Sequence, residues 1–194
     1  MNENLISDCS AVILAGGKNS RYGGFHKAFL RIEDELIIER DLKLLTAVFD
    51  DVFIVANDVH LFENYKVPVY RDIYKNRGPL AGIHSALKNT RREAVMIFGC
   101  DMPFLDKELI IKMYRTYKAS HKKYCLPKNE EFVEPLHAIY SVEILKDLEN
   151  FLEQKKGNAV IKFLKGKDLC YMQTKVQGPA FVNINSPDDL SKIL

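Results

Sequence analysis

Continuous apolar runs alternate with segments of helical periodicity through the first half of the chain. The apolar runs predict buried strands at Ser10–Leu14, Asp51–Ala56, Val67–Arg71 and Ala94–Gly99. Apolar positions at helical spacing predict helices over Leu36–Phe49, from Gly78–Pro79 onward and from Asp106 onward. Strands that are apolar on both faces and are separated by helices form parallel β-α-β units. This half of the chain therefore predicts a doubly wound parallel sheet.

The second half of the chain has a different pattern. Two apolar segments flank the polar turn Lys128–Glu131 and predict an antiparallel pair of strands at Lys123–Pro127 and Phe132–Tyr140. The pattern further predicts helices at Ile144–Leu152 and Val160–Leu164, strands at Leu169–Thr174 and Phe181–Ile184, and a final helix opened by Ser186–Asp189. No repeat or linker interrupts the pattern, so one domain over residues 1–194 is expected. The predicted fold class is α/β, Rossmann-like and doubly wound, a mostly parallel sheet with helices on both faces and a small antiparallel excursion.

Composition and charge remove several classes of protein. The 194 residues are 47% hydrophobic and 28% charged, which is typical of a globular domain, and the net charge of +2 is too small to indicate a polyanion partner. The basic cluster at His121–Lys123 is short, so no nucleic acid is expected. No stretch has the form of a signal peptide or a membrane span. The four cysteines lack the close spacing of a zinc or redox site, which favours a reducing cytoplasm.

The first predicted strand leads into an unusual segment, Ser10–Leu30, with the sequence SAVILAGGKNSRYGGFHKAFL. Four glycines (Gly16, Gly17, Gly23, Gly24) surround three cations (Lys18, Arg21, Lys27). Ligands of parallel α/β sheets bind at the carboxyl ends of strands, where glycines expose backbone amides and cations attract anionic oxygens. The spacing matches neither the P-loop nor the dinucleotide fingerprint. A nucleotide or another polyphosphate is the expected ligand, and a flexible surface turn with solvated lysines is the alternative.

Four segments carry a resemblance to a known family. LAGGKNSRYGGFHKAFL resembles the signature L-A-G-G-x-S-x-R-x-G-x-x-K of α/β nucleotidyltransferases, although Ser20 and Arg21 are adjacent here, a shift of one residue. RGPLAGI (77–83), CDMPFL (100–105) and FVNINSPDDL (181–190) follow in the family's order. Together they resemble the molybdenum cofactor guanylyltransferases, which join GMP to molybdopterin. The similarity extends from the first strand to the last helix.

The resemblance implies an enzyme that transfers GMP from GTP to the terminal phosphate of molybdopterin and releases pyrophosphate. Mg²⁺ is the implied cofactor, with Mn²⁺ as a substitute. Residues 1–105 would mainly bind the nucleotide and residues 106–194 mainly molybdopterin. The implied protein is a cytoplasmic monomer with no membrane partner, making transient contacts with molybdenum insertion proteins and acceptor molybdoenzymes.

The resemblance also implies three catalytic residues. Lys27 would contact phosphate and balance charge as pyrophosphate leaves, and Arg21 would hold the outer phosphates. Asp101 would be the metal ligand, because Mg²⁺ prefers one or two carboxylates together with phosphate oxygens and waters. The alternative for Asp101 is a capping role in the turn at Pro103–Phe104. His26 is expected to be incidental.

The nucleotide-binding residues implied by the resemblance extend along several strand ends. Besides Lys27 and Asp101 they are Leu14, Ala15, Gly16, Gly17, Asn57, Asp72, Gly78, Pro79 and Leu80. Two of these have alternatives. Val55 competes with Asn57 for the family's ligand-contacting position, and Asp72 could instead pair with Arg71 or Arg77.

The second substrate is expected near the last predicted strand. Asn183 and Asn185 would share one face of that strand, and their amides would suit the edge of a pterin ring. The alternative is that both satisfy the turn before Ser186. The segment Glu134–His137 also resembles a family segment that borders this substrate, without a role for any single residue.

Two other readings of the whole chain remain open. A related transferase would use CTP or a sugar phosphate, and a non-enzymatic nucleotide-sensing module would keep the fold without the chemistry. Lys27 and Asp101 together favour an enzyme. No Ser/His/Asp or Cys/His constellation is present, which agrees with a reaction that needs no protein nucleophile.

Overall fold

A seven-stranded sheet forms the centre of the computed structural model, which describes residues 5–16, 26–130, 132–154, 157–174 and 179–184. Its strands are β1 (Cys9–Leu14), β4 (Val52–Val55), β5 (Val69–Tyr70), β6 (Ala94–Gly99), β7 (Tyr124–Lys128), β8 (His137–Ser141) and β9 (Cys170–Gln173). A separate two-stranded hairpin consists of β2 (Arg31–Ile32) and β3 (Glu35–Leu36). The order across the main sheet is β5-β4-β1-β6-β8-β7-β9.

Strand directions confirm the predicted fold class. The strands β5, β4, β1 and β6 are parallel, β8 is antiparallel to both β6 and β7, and β9 is parallel to β7. The sheet is thus mostly parallel with one antiparallel excursion. From β1 the chain passes to β4 and β5 on one side and then crosses to β6 on the other. Such a reversal leaves a crevice at the carboxyl ends of the strands, where ligands bind in open α/β sheets.

Helices cover both faces of the sheet. They are α1 (Ile37–Thr46), α2 (Pro79–Asn89), α3 (Lys107–Ser120), α4 (Leu145–Glu153) and α5 (Val160–Leu164), with short 3-10 helices at Lys27–Phe29, Val59–Phe62, Val142–Ile144 and Pro179–Phe181. Side chains of β1 alternate between two cores: Ile13 packs on the face covered by α1 and α3, and Leu14 on the face covered by α2, α4 and α5. A strand apolar on both faces is therefore enclosed on both sides, as parallel sheets require.

Local chemistry explains where the helices begin. Pro79 occupies the first turn of α2, where its missing amide hydrogen costs nothing, and Gly78 before it has φ +57°, a value that favours glycine. The side chain of Asp106 accepts a hydrogen bond from the Leu109 amide at 2.7 Å and caps α3. The predicted starts of both helices are confirmed.

Two predicted strands are wrong in part or in whole. Within the segment Phe132–Tyr140, Val133 forms a single antiparallel bridge to Lys128, and the continuous strand begins only at His137. Between them Pro135 lacks an amide hydrogen, and Glu134 Oε1 accepts from the Leu136 amide, 3.0 Å away, in a turn of the chain. Phe181–Ile184 is not a strand. Phe181 is the last residue of the 3-10 helix Pro179–Phe181. The Ile184 amide donates a hydrogen bond to the Asp101 carbonyl at 2.8 Å, which attaches the end of the segment to the turn after β6.

Smaller differences concern helix ends and short elements. The helix predicted to reach Phe49 ends at Thr46, and Phe49 instead bridges to Ile6. The β2–β3 hairpin and the 3-10 helix Lys27–Phe29 were not predicted. The predicted final helix at Ser186–Asp189 lies outside the described residues. Among the helices that the structure describes, none has the length and apolar character needed to cross a membrane.

Candidate active site

The crevice at the carboxyl edge of the sheet contains a lysine and a carboxylate in contact. The ammonium of Lys27 lies 3.2 Å from Asp101 Oδ2, and the two side chains are 22% and 27% exposed. Lys27 opens the 3-10 helix Lys27–Phe29, and Asp101 follows β6 by two residues. Both groups are charged and reachable from solvent, so a polyanionic ligand can contact the ammonium while a cation binds the carboxylate.

Gly99, at the end of β6, lies close to the Asp101 side chain. A Cβ added at Gly99 would lie 2.9 Å from Asp101 Oδ1 and 3.1 Å from Met102 Cε, so both side-chain ends would have to shift to make room for it. The Cys100 amide still donates to the Leu14 carbonyl at 3.2 Å, so the ladder between β1 and β6 continues up to the site. The Asp101 side chain accepts a hydrogen bond from the Lys27 ammonium, and its alternative role as a cap of the turn at Pro103–Phe104 stays a prediction.

Leu14, Ala15 and Gly16 present mainly backbone to this crevice. Leu14 and Ala15 are buried, whereas Gly16 is exposed. The Ala15 amide donates a hydrogen bond to the Val55 carbonyl, and the Ala15 carbonyl accepts one from the His26 ring at 2.7 Å. Because Leu14 and Ala15 are buried, they can offer a ligand mainly their backbone groups, as Gly16 does for lack of a side chain. His26, which was expected to be incidental, is in direct contact with this strand end.

The ends of β4 and β5 bring two further predicted residues together. Asn57 Nδ2 donates to Asp72 Oδ2 at 2.9 Å. A Cβ added at Gly16 would lie 3.9 Å from the same oxygen, so the pair lies beside the end of β1. Burial raises the pKa of Asp72, and the hydrogen bond from Asn57 counteracts part of that rise.

The alternative residues at these two positions differ in their surroundings. Val55 is only 1% exposed and packs in the core beneath α2, so its side chain does not reach the crevice, whereas Asn57 is exposed at the edge. Arg77 donates to the Leu152 carbonyl. Asn57 is therefore the described hydrogen-bond partner of Asp72.

The start of α2 lies close to the end of β1. A Cβ added at Gly82 would lie 3.1 Å from Leu14 Cδ2, so glycine allows the helix to approach the strand. Gly78 and Pro79 are exposed ahead of that contact, but Leu80 is fully buried. Because its side chain is buried, Leu80 can offer only backbone groups to a nucleotide.

A second polar pair lies on the other side of Asp101. The side chain of Asn183 hydrogen-bonds Glu134, and the charge of Asp101 acts on the same carboxyl group. Burial raises the pKa of Glu134, the Asp101 charge raises it further, and the bonds from the Leu136 amide and Asn183 lower it. The Ile184 amide is bonded to the Asp101 backbone, so the segment around Asn183 is attached directly to the metal-ligand candidate.

Three predicted site residues, Gly17, Arg21 and Asn185, lie outside the described residues. The others meet at one edge of the sheet. Lys27 and Asp101 lie between the Asn57–Asp72 pair and the Glu134–Asn183 pair. A nucleotide and a second substrate approaching from opposite sides would therefore meet at the paired charges.

The donor chemistry of this edge fits a divalent cation. Within the described residues, no three His, Cys, Asp or Glu side chains are grouped closely enough to enclose a metal ion. Mg²⁺ does not require such a cage, because it retains waters and uses one or two carboxylates with substrate phosphates. The partly exposed Asp101 carboxylate beside the Lys27 ammonium could supply the protein share of such a set.

Sequence reasoning missed individual roles for His26, Gly99 and Glu134. The partner of His26 lies eleven residues earlier in the chain, and the partner of Glu134 lies in a segment that was predicted to be a strand. One signal was available for Gly99: a glycine that ends an apolar strand directly before Cys100 and Asp101 indicates a close approach of neighbouring atoms.

The chain is similar to known proteins over most of its length. A family model described as the MobA-like NTP transferase domain matches residues 11–169. The molybdenum cofactor guanylyltransferase of Desulfosudis oleivorans is 33% identical over 190 residues, covering 94% of this chain and 93% of that protein.

Solved structures show the same fold. Molybdopterin-guanine dinucleotide biosynthesis protein A from Archaeoglobus fulgidus superposes with a TM-score of 0.82 at 25% identity, covering 94% of this chain and 95% of that one. A Mycobacterium tuberculosis protein solved in complex with manganese superposes with a TM-score of 0.71 at 15% identity, covering 96% and 98%. The predicted family, fold class and enzyme class, a nucleotidyltransferase, are confirmed. With the family model matching most of its length and this relative matching nearly all of it, the chain belongs to the MobA-like NTP transferase family.

Proposed function

We propose that this protein transfers GMP from GTP to the terminal phosphate of molybdopterin. The Lys27–Asp101 contact carries the proposal, because it pairs a phosphate-binding cation with a metal-binding carboxylate at the crevice of the sheet. Family membership supplies the substrates, since the similar protein of Desulfosudis oleivorans is a molybdenum cofactor guanylyltransferase.

The nucleotide would bind over the ends of β1, β4 and β5. Backbone groups of Ala15 and Gly16 would lie beside the nucleoside, and Asn57 and Asp72 would offer hydrogen bonds to it. Lys27 would contact the phosphates and balance the charge that develops on the departing pyrophosphate. Arg21, by resemblance, would hold the outer phosphates.

A divalent cation would be held by Asp101 together with phosphate oxygens of the substrate. It would offset the negative charge of the triphosphate. We propose Mg²⁺ with Mn²⁺ as a substitute. The Mycobacterium tuberculosis protein of similar fold was solved in complex with manganese, which is consistent with a divalent cation.

Molybdopterin would approach from the side of Glu134 and Asn183. Its terminal phosphate oxygen would attack the α-phosphorus of GTP and form a new P–O bond, and the bond from that phosphorus to the bridging oxygen of the β-phosphate would break. Pyrophosphate would leave with the electron pair of that bond. The attacking phosphate is already charged, so the protein contributes position and charge balance rather than a general base.

Resemblance and the site together support several further proposals. Residues 1–105 would mainly serve the nucleotide and residues 106–194 mainly molybdopterin. The protein would act in the cytoplasm as a monomer, with transient contacts to molybdenum insertion proteins and acceptor molybdoenzymes.

Calorimetry with Mg²⁺ and each of GTP, ATP, CTP and UTP tests the guanylyl assignment. GTP is expected to bind most tightly, because a site built for one pattern of donors and acceptors leaves polar groups unpaired with another base. Equal affinity for GTP and ATP would contradict the assignment. A preference for CTP would favour the related cytidylyl transferases, and absence of pyrophosphate release with every substrate pair would favour a nucleotide-sensing module.

A further inference from the structure

The His26 side chain connects the end of β1 to the start of the 3-10 helix Lys27–Phe29. Its ring nitrogen Nε2 lies 2.7 Å from the carbonyl oxygen of Ala15, the residue that follows β1. We define this Ala15–His26 hydrogen bond as the neck. We propose that His26 is a positioning residue for GTP: its bond to Ala15 fixes Gly16 and Lys27 relative to each other.

The two ring nitrogens have assigned roles. The Ala28 backbone amide points to His26 Nδ1 at 3.4 Å, and an amide can only donate, so Nδ1 accepts. Nε2 must then carry the proton and donate it to the Ala15 carbonyl. The ring is a neutral imidazole with one donor and one acceptor, and a fully protonated ring would lose the acceptor that Ala28 uses.

Packing holds the ring in this orientation. His26 is 8% exposed and makes edge-on contacts with Phe29 and Phe62, whose ring centres lie 5.5 and 5.3 Å away. Burial lowers the pKa of His26, and the charge of Asp58 partly opposes that change. A buried ring with partners on both nitrogens has little freedom to rotate.

The neck connects two parts of the proposed nucleotide site. On one side it fixes Ala15, which precedes Gly16, the residue beside Asp72. On the other side it fixes the start of the 3-10 helix that carries Lys27 to within 3.2 Å of Asp101. A change in the distance between Ala15 and His26 would therefore displace the backbone of Gly16, proposed to lie beside the nucleoside, relative to the Lys27 ammonium, proposed to contact the phosphates. The His26 side chain itself is not proposed to contact the nucleotide.

Three substitutions of His26 distinguish the effect of losing its hydrogen bonds from the effect of losing its ring packing. His26→Gln places an amide donor near the Nε2 position and keeps the neck, whereas His26→Asn places its polar atoms near Nδ1 and keeps only the bond to Ala28. His26→Phe keeps the ring packing and loses both bonds. His60→Gln is the matched control, since the His60 side chain is 80% exposed.

The inference rests on the proposed use of GTP at this site. The dissociation constant of GTP, measured by calorimetry with Mg²⁺, should rise about 3- to 10-fold in His26→Asn and His26→Phe, the scale of one lost hydrogen bond, and less than about 2-fold in His26→Gln. Three results would contradict the role proposed for the neck. They are an equal loss of GTP affinity in the Gln and Asn variants, a loss of GTP affinity that follows the melting temperature alone, and wild-type GTP affinity in all three variants.

A second measurement does not depend on the nucleotide. In protein labelled with ¹⁵N-histidine, His26 should show a neutral ring with a hydrogen-bonded Nε2–H at pH 7, and a proton on Nδ1 would overturn the inference. If the wild-type protein binds GTP but forms no product with molybdopterin, the proposed function fails. The order of affinities among the His26 variants still decides the role of the neck in that case.

Discussion

The ammonium of Lys27 and the carboxylate of Asp101 are 3.2 Å apart although 74 residues separate them in the chain. The contact forms because the segment after β1 and the turn after β6 leave the sheet at neighbouring strand ends. A partly exposed ion pair contributes little to stability. The two charged groups lie at the crevice, where we propose that substrate phosphates and a cation bind.

Asp101→Asn removes the charge needed for a metal ligand and keeps the shape of the side chain. We expect turnover to fall about 100- to 1,000-fold, the usual scale for one electrostatic element of a site, with little change in melting temperature. Steady-state pyrophosphate release measures the first quantity and calorimetric unfolding the second. Asp34→Asn, at an exposed position of the β2–β3 hairpin, is the control. Retained turnover with a large drop in melting temperature would mean that Asp101 is structural.

The sequence predicted correctly those strands and helices whose position is determined by neighbouring residues. β6 was predicted with its observed bounds because five apolar residues run without interruption into Gly99, and Asp106, which caps α3, was predicted at the start of that helix. Lys27 and Asp101 were predicted from motifs that the chain shares with the family, and the structure brings the two side chains into contact. In each of these cases the deciding chemistry lies within a few residues of the position itself.

Sequence reasoning failed where a distant partner decides the conformation. Phe181–Ile184 has the apolar alternation of a strand, but the Ile184 amide bonds to the Asp101 carbonyl instead of to a neighbouring strand. Whether the side chain of Val55 can reach the crevice depends on which face of β4 is covered by α2, and the sequence near Val55 does not specify that face. The role of His26 depended on Ala15, which lies next to it only after the chain has turned back.

Asn57→Ala removes the hydrogen bond to Asp72 and one polar contact proposed for the nucleotide. We expect the dissociation constant of GTP to rise about 3- to 10-fold, with turnover at saturating GTP nearly unchanged, because the pair lies away from the reacting phosphates. Titration calorimetry and saturation kinetics measure the two effects. Asn89→Ala removes a comparable bond, to the Ser85 carbonyl at the far end of α2, and should leave GTP affinity unchanged. Equal losses in the two variants would indicate a general effect on folding.

The Glu134–Asn183 pair should act on the second substrate. Asn183→Ala is expected to raise KM for molybdopterin about 3- to 10-fold and to leave the dissociation constant of GTP near its wild-type value. Glu134→Gln should have a smaller effect, because the amide still accepts a hydrogen bond. If Asn183→Ala weakens both substrates together and lowers the melting temperature, Asn183 is holding the chain next to Asp101, and the molybdopterin site lies elsewhere.

His137 should make the protein sensitive to acid. It is fully buried between the rings of Phe98 and Phe181, and burial lowers its pKa to about 4 from the ordinary 6.5. A histidine whose pKa is lower in the folded state binds protons preferentially on unfolding. The free energy of unfolding should therefore fall as the pH drops from about 6.5 towards 4, by at most about 1.4 kcal/mol per pH unit.

His137→Phe removes that titration and keeps a ring in the core. The free energy of unfolding of the variant minus that of the wild type should increase as the pH falls through this window, measured by urea titration at several pH values. His60→Asn, an exposed histidine, should show no such slope. A difference between His137→Phe and wild type that is independent of pH would contradict the assignment of a neutral, buried imidazole.

The most direct measurement of the proposed activity is product formation from both substrates. Purified protein is incubated with Mg²⁺, molybdopterin and either GTP or CTP, and the dinucleotide is identified by mass spectrometry while pyrophosphate is counted. The account predicts molybdopterin guanine dinucleotide and pyrophosphate in equal amounts with GTP, and loss of both in Asp101→Asn. Formation of the cytosine dinucleotide in preference to the guanine dinucleotide, or no dinucleotide from either nucleotide, would contradict it.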